Sequence, residues 1–193
     1  NEGVKGTRTE SKGILPLSQF ILQDSQFTIL VVGENAILPM TVGGGSSSLK
    51  VQREISPLQG ITERAAQAGI TIDYARGYVG NTHIEQDNVK LSVDMKEPRS
   101  AAELRAEAVA KAKQADMVIF IGGLNKDGHQ DCEGVDRKQY ELPYGQDELI
   151  TALCKANPNL VVVNISGTAV AMPWGTHFWT PHTGRMGDGW AYT

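Results

Sequence analysis

The sequence predicts an α/β fold, a mostly parallel open sheet with helices on both faces. Two observations carry that reading. Strand-like runs recur at Phe27–Val32, Ile70–Ala75, Met117–Ile121 and Leu160–Ile165, and glycine lies at or near the end of each. The run FTILVV is apolar throughout, as expected of a strand buried on both faces. Helix-like segments separate the runs, and strands alternating with helices imply βαβ units.

The elements follow in order. Residues 1–18 are polar and Gly-rich before Ile14-Leu15-Pro16-Leu17, and read as a linker segment. The domain proper is expected over 19–174. After the first strand, Gly43–Ser48 (GGGSSS) reads as a loop. Ser56-Pro57 opens a helix by the N-cap and first-turn preferences, and that helix runs to about Ala68 before Gly69. Residues 77–99 show no period and are expected to be loop with at most a short strand. Ser100-Ala101-Ala102-Glu103 is a capping-box pattern that starts an Ala-rich helix reaching about Gln114. Gln146–Ala156 is a third helix, stopped by Asn157-Pro158. Residues 175–193 carry neither the helix nor the strand period. They are set apart as an atypical tail, which leaves the sheet short at its C-terminal side.

Composition narrows the function classes. A chain of 193 residues with 40% hydrophobic and 21% charged content can bury one substantial core. A net charge of −4 argues against nucleic-acid and anionic-membrane partners. No apolar run approaches the ~20 residues of a membrane-spanning helix. Two cysteines, Cys132 and Cys154, are too few for a disulfide framework and fix no redox compartment. The chain begins at Asn1 without a signal pattern, and it is read as a piece of a longer protein whose compartment stays open.

The chemistry is concentrated after the third strand. Between Gly123 and Gln146 lie Asp127, His129, Asp131, Glu133, Asp136 and Arg137. Unstructured loops of this length are uncommon in compact domains and are often functional. Carboxylates just past a strand end also sit where open α/β sheets place their ligands. A lone loop Glu is ordinarily a solvated carboxylate. Glu133 differs in following a strand, in its small and turn-forming neighbours, and in preceding Asp136-Arg137, a pair suited to bracing a loop. Spacing alone leaves both readings open. Zinc is disfavoured, because His129, Asp131, Cys132 and Glu133 are too close in sequence to converge tetrahedrally. Cys132 has no base or orienting group that the sequence can place, and reads as a buried thiol. The glycine loop at 43–48 lacks both the dinucleotide and the Gly-Lys-Ser/Thr phosphate patterns. It reads as a surface loop or as the lining of a sugar site.

An ordered set of segments carries a resemblance. It comprises Ala115–Gly123 (ADMVIFIGG), Glu133-Gly134-Val135-Asp136-Arg137, Leu142–Ile150 (LPYGQDELI), Val163–Gly167 (VNISG) and Met172-Pro173-Trp174. Leu15-Pro16-Leu17, Val31–Ala36, the Gly43–Ser46 loop and Ser56-Pro57-Leu58 extend it upstream. Over roughly Gly13 to Trp174 the chain resembles the C-terminal α/β domain of glycoside hydrolase family 3. The family would continue beyond Trp174 with a helix and another strand, which 175–193 does not match. The resemblance implies a retaining exo-glycosidase of the β-glucosidase or β-xylosidase type that needs no cofactor or metal. Its nucleophilic Asp would lie on an N-terminal barrel domain outside this chain, and its acid/base Glu would match Glu133. The partners implied are a β-linked oligosaccharide or glycoside and that barrel. The pKa of Glu133 would be raised by a partly apolar cleft and by the ionised nucleophile. Asp127, His129 and the 43–48 loop become candidates for the rim of the sugar site, and Asp136 with Arg137 a structural brace. Two other readings stand beside it: a non-catalytic sugar-binding or accessory domain, and a Rossmann-like nucleotide-binding protein.

Overall fold

A computed structural model describes residues 27–38, 52–80, 96–126, 129–131, 133–134, 136–178 and 190–192. The four expected runs and one further strand pair into one parallel sheet of β1 (Thr28–Val32), β2 (Thr71–Ala75), β3 (Met117–Gly123), β4 (Leu160–Ile165) and β5 (Trp190–Tyr192). The spatial order is β2-β1-β3-β4-β5. Connections from β1 and β3 leave in opposite directions along the sheet, so the switch point lies between these two neighbours. Ligands of open α/β sheets bind beyond the carboxyl ends of the strands at such a point.

Alternation along the strands divides the core between two faces. Leu30, Val32, Val118, Phe120, Leu160 and Val162 pack with residues of α2 (Ala101–Ala112) and α3 (Gln146–Ala156), among them Ala108, Leu149 and Leu153. Ile29, Val31, Met117, Ile121 and Val161 pack on the other side against Leu58 and Ile61 of α1 (Pro57–Ala66). Each such side chain contributes roughly 1.5–3 kcal/mol when fully buried. This is the expected layering, with helices on both faces.

Local chemistry sets the helix ends. Ser56 caps α1 by accepting from the Gln59 N–H at 3.2 Å. Gly69, at φ +71°, lies just past the last turn, where Ile70 N–H reaches Ala65 O and Gly69 N–H reaches Ala66 O. That pair of bonds is a Schellman ending, which glycine enters without a Cβ penalty. The capping box on α2 is complete, with Ser100 and Glu103 each serving the other's backbone N–H. Asn157 stops α3 and ties it to α2, donating to Ala112 O at 2.9 Å and Ala115 O at 2.7 Å.

Two expectations change. β3 does not end at Ile121 but continues through Gly122 and Gly123, which pair with Asn164 and Ile165 of β4. Glycines there permit a closer approach, as the site geometry below makes clear. The segment after Trp174 was expected to offer no strand, yet Trp190–Tyr192 pairs parallel with Val162–Asn164. A three-residue strand is too short to show a period, and its formation follows from the need of the β4 edge for hydrogen-bond partners. A 3₁₀ turn over Pro173–Phe178 precedes it. The 1–18 linker, the 43–48 loop, Asp127 and Cys132 lie outside the described residues.

The ends of β1 and β2 are filled by the chain's own polar groups. Glu34, 2% exposed, accepts from Arg76, 6% exposed, through Nε at 3.0 Å and Nη2 at 2.8 Å. Its other oxygen accepts from the Gly80 N–H at 3.0 Å. Taking two charges out of water is costly unless they are paired and hydrogen-bonded, and here every Glu34 oxygen has a donor. Arg76 also lies 3.7 Å from Glu97, which Arg99 clasps at 2.6 Å. Asn35 donates its side-chain N–H to Leu124 O at 3.1 Å, binding the β1 exit to the β3 exit. Tyr78 stacks on Tyr144 with ring centroids 6.3 Å apart, and burial holds its hydroxyl well above the ordinary tyrosine pKa.

The Glu97 carboxyl is lowered to about 2 from its usual 4.5, first by its hydrogen bond with Arg99 and further by the charges of Arg99 and Arg76. A depressed carboxylate stabilises the fold fully above its unfolded pKa and loses that contribution as pH falls toward the folded value. Glu97→Gln is therefore expected to lower the thermal midpoint at pH 7. The gap to the wild type should narrow between pH 4.5 and 2, the window set by those two values. Melting curves across that range check it, and a gap independent of pH would assign the effect to packing instead.

Candidate active site

The site begins where β3 leaves the sheet. Gly123 has φ +118°, and a Cβ there would overlap the carbonyl oxygen of Ile165. A Cβ on Gly122 would overlap the side chains of Gln146 and Phe120. The two glycines therefore let β3 run close to β4 and let a side chain cap its end. That side chain is Gln146, 0% exposed, at the start of α3. Its Oε1 accepts from Gly123 N–H at 2.8 Å and its Nε2 donates to Gly123 O at 2.8 Å. The carboxamide thus stands in for the next strand residue. Leu124 N–H then bonds to Ile165 O at 2.9 Å and aims the chain outward.

The loop that follows is closed at its base. Asn125, 3% exposed, donates to the Tyr144 hydroxyl at 3.2 Å across the loop. Tyr144 and Gly145 both have left-handed backbones, at φ 63° and 69°, and turn the chain into α3. Asp147, in the first turn of that helix, accepts from Leu142 N–H at 3.2 Å and from the buried Trp174 Nε1–H at 2.6 Å. Burial raises the Asp147 carboxyl, against the two hydrogen bonds that lower it.

The candidate residues occupy the outer half of this loop. Glu133 is exposed and shares a turn with Gly134, whose φ is +92°. His129, at φ 65°, directs Nδ1 to the carbonyl of Asp136 at 3.0 Å, so it bridges the two sides of the turn. A carbonyl only accepts, so Nδ1 carries the proton in this contact. Asp136 is exposed and contributes that carbonyl. Arg137 makes five hydrogen bonds: to Gln139 O at 3.2 and 2.8 Å, Tyr140 O at 3.1 Å, Thr168 Oγ1 at 2.9 Å and Ala169 O at 2.8 Å. On the near side, Asp131 takes the Gly167 N–H with its carboxylate and gives its own N–H to Asn125 O at 3.0 Å. His129, Glu133, Asp136 and Arg137 are thereby brought into one turn. Among the described residues, no group of three His, Cys, Asp or Glu is placed to hold a metal ion. No helix among them is long and apolar enough to cross a membrane.

Sequence reasoning overlooked three groups here. The sequence marks Gln146 as a helix opener, Asp131 as one acid of the loop and a disfavoured zinc ligand, and Glu34 as part of the Val31–Ala36 segment, and gives none of them the role found here. A buried glutamine directly before an acidic first turn has no local signature. Glu34 and Arg76 could have been suspected, since each directly follows the end of a strand run or one glycine beyond it.

A parallel sheet in this order, with an acidic loop leaving the switch-point strand, defines an open, doubly wound α/β domain. The family model described as the glycosyl hydrolase family 3 C-terminal domain matches residues 9–181, and the chain belongs to that family. It is 47% identical over 172 residues to the β-glucosidase BoGH3A of Bacteroides ovatus, covering 88% of this chain and 21% of that protein. It is 34% identical over 165 residues to an exo-α-(1→6)-L-arabinopyranosidase of Bifidobacterium longum, covering 83% of this chain and 19% of that one. A crystal structure of a GH3 β-glucosidase from Bifidobacterium adolescentis superposes with TM-score 0.58 at 31% identity, over 81% of this chain and 20% of that chain. The chain thus spans about a fifth of the length of these relatives.

Replacing Gln146 tests the cap on β3. Gln146→Leu keeps most of the volume and leaves the N–H and C=O of Gly123 buried without partners. Each orphaned group costs about 1–3 kcal/mol, so for the two a loss of about 2–6 kcal/mol is expected. Urea unfolding should show a lower midpoint with little change in slope. A loss below about 0.5 kcal/mol would mean that Gly123 finds other partners.

Proposed function

We propose that this domain is part of a retaining, exo-acting β-glucosidase or β-xylosidase and supplies its general acid/base, Glu133. The observation that carries the reading is a carboxylate at the exposed tip of a turn beyond the switch-point strand, fastened on both sides by buried or multiply bonded groups. Family membership and relatives named as β-glucosidases support it. The arabinopyranosidase relative extends the sugars handled by similar chains to another pyranoside.

In retaining hydrolysis two carboxyls face each other about 5–5.5 Å apart across the scissile bond. A nucleophilic Asp on an N-terminal barrel domain attacks the anomeric carbon. Glu133 first protonates the leaving oxygen and then takes a proton from the water that releases the sugar. A β-linked oligosaccharide or simple glycoside is the substrate, and the barrel is the partner that closes the cleft. Closure removes water from Glu133, which is exposed in this chain, and raises its pKa into the range an acid needs. His129 and Asp127 are the proposed sugar-binding side chains of the loop. Asp136 and Arg137 act as the brace, Asp136 through its carbonyl and Arg137 through its planar fork, which a lysine would not reproduce. Residues 19–174 form the domain unit, with 1–18 as the linker from the barrel and 175–193 as the tail that returns to the sheet through β5.

In the enzyme that includes the barrel, Glu133→Ala should depress turnover of glycosides with poor leaving groups by ~10²–10⁴-fold. Activated aryl glycosides should lose far less in the first step, because a good leaving group needs no proton. Azide should restore part of the rate by attacking the glycosyl-enzyme directly. Equal losses on both substrate types without azide rescue would remove Glu133 from the role.

The 193-residue chain alone is expected to show little or no hydrolysis of aryl β-glucosides and β-xylosides. It offers one acid/base carboxylate, whereas retaining chemistry needs two held across the sugar. It also forfeits the positioning that the barrel provides. Robust turnover abolished by Glu133→Gln and by one further carboxylate substitution would place both groups within this chain.

A further inference from the structure

The two legs of the Glu133 turn are fastened to the same short stretch of chain. Two residues before Glu133, the Asp131 carboxylate accepts the Gly167 N–H. Four residues after it, Arg137 donates to Thr168 Oγ1 at 2.9 Å and Ala169 O at 2.8 Å. Both anchors land on Gly167–Ala169, just past the end of β4. That stretch is itself braced, because Ser166 Oγ donates to Thr168 O at 2.9 Å and Asn164 Nδ2 donates to Ser166 Oγ at 3.2 Å. The sheet therefore reaches Glu133 through β4 as well as through β3.

We propose that Asp131 is a positioning residue that fixes Glu133 by clamping the near leg of its turn to the backbone N–H of Gly167. The proposal rests on the reading of Glu133 as acid/base. Asp131 is half-buried, and its own N–H is tied to Asn125 O at 3.0 Å, so its backbone and side chain fasten two different strand exits together. A carboxylate accepting a backbone N–H makes a charge-assisted bond, roughly twice as strong as a neutral one. The contact is also tight: a Cβ added to Gly167 would lie 3.2 Å from Asp131 Oδ1 and 3.3 Å from its Cγ. Arg137 holds the far leg by several bonds, and among the described residues Asp131 is the near-leg side chain that reaches the stretch just past β4. Losing it removes the near-leg tie, so that the turn carrying Glu133 shifts about the Arg137 anchor.

The test uses the enzyme that includes the barrel, with Asp131→Ala, Asp131→Asn and Gly167→Ala made singly and with Glu133→Ala. Asp131→Ala should lower kcat on a poor-leaving-group β-glucoside by ~10–100-fold, the scale of a misplacement near 1 Å, with KM little changed. Asp131→Asn keeps an acceptor for the Gly167 N–H and should recover most of kcat. Gly167→Ala presses the same contact from the other side and should mimic the Ala variant, which covers the case in which Asp131→Ala fails to fold. In the Glu133→Ala background the Asp131→Ala loss should vanish, because the group it positions is gone. A full loss persisting in a Glu133→Ala enzyme that shows the leaving-group signature would overturn the positioning role alone. A Glu133→Ala loss blind to the leaving group would overturn the acid/base reading beneath it. Failure of Asp131→Asn to rescue a folded enzyme would show that the charge acts directly, again overturning the proposal.

Discussion

Much of this domain depends on how closely β3 and β4 approach at their carboxyl ends. Gly123 sits where any side chain would strike the Ile165 carbonyl, so the two strands remain paired to the last residue before the loop. A strand ending there would leave a buried N–H and C=O without partners. Gln146 supplies both from a single carboxamide, reaching back 23 residues from the first turn of α3. Removing either glycine or the glutamine separates the strand end from the helix that packs behind it.

On that base the outer loop is held by polar contacts to neighbouring elements. Asn125 and Tyr144 close its neck, Asp147 and Trp174 fix its return into α3, and Asp131 and Arg137 pin its tip to the chain after β4. A proton-transfer group gains from such support, since catalysis depends on distances set to within fractions of an ångström. The groups that close the neck, Asn125 and the Tyr144 hydroxyl, are neutral, whereas Glu133 and Asp136 farther out are exposed charges. Neutral groups can be satisfied in the interior by one or two partners, whereas an ion needs a full set.

The paired Glu34 and Arg76 show the opposite case, charges that are buried and matched. They occupy the ends of β1 and β2 beside the switch point, the region where a nucleotide-binding relative of this topology would place a phosphate. Here that volume holds an internal ion pair, a stacked tyrosine pair and the Asn35 bridge to Leu124. The described residues there stiffen the β1 and β3 exits.

The sequence by itself determined the elements whose signals are local. Apolar runs defined β1, β3 and β4, a Ser-x-x-Glu box started α2, and Gly69 and Asn157 marked helix ends, because backbone periodicity and capping act within a few residues. It also placed Glu133 and Arg137 on a loop past a strand, since both are read from order along the chain. Tertiary structure decided the rest. The Gln146–Gly123 pairing, the Asp131–Gly167 contact and the Glu34–Arg76 pair join residues 23, 36 and 42 positions apart, and a glutamine or aspartate looks the same in sequence whichever backbone it meets. β5 belongs to this second group. Three residues carry too little pattern to announce a strand, and only the unpaired edge of β4 makes them one.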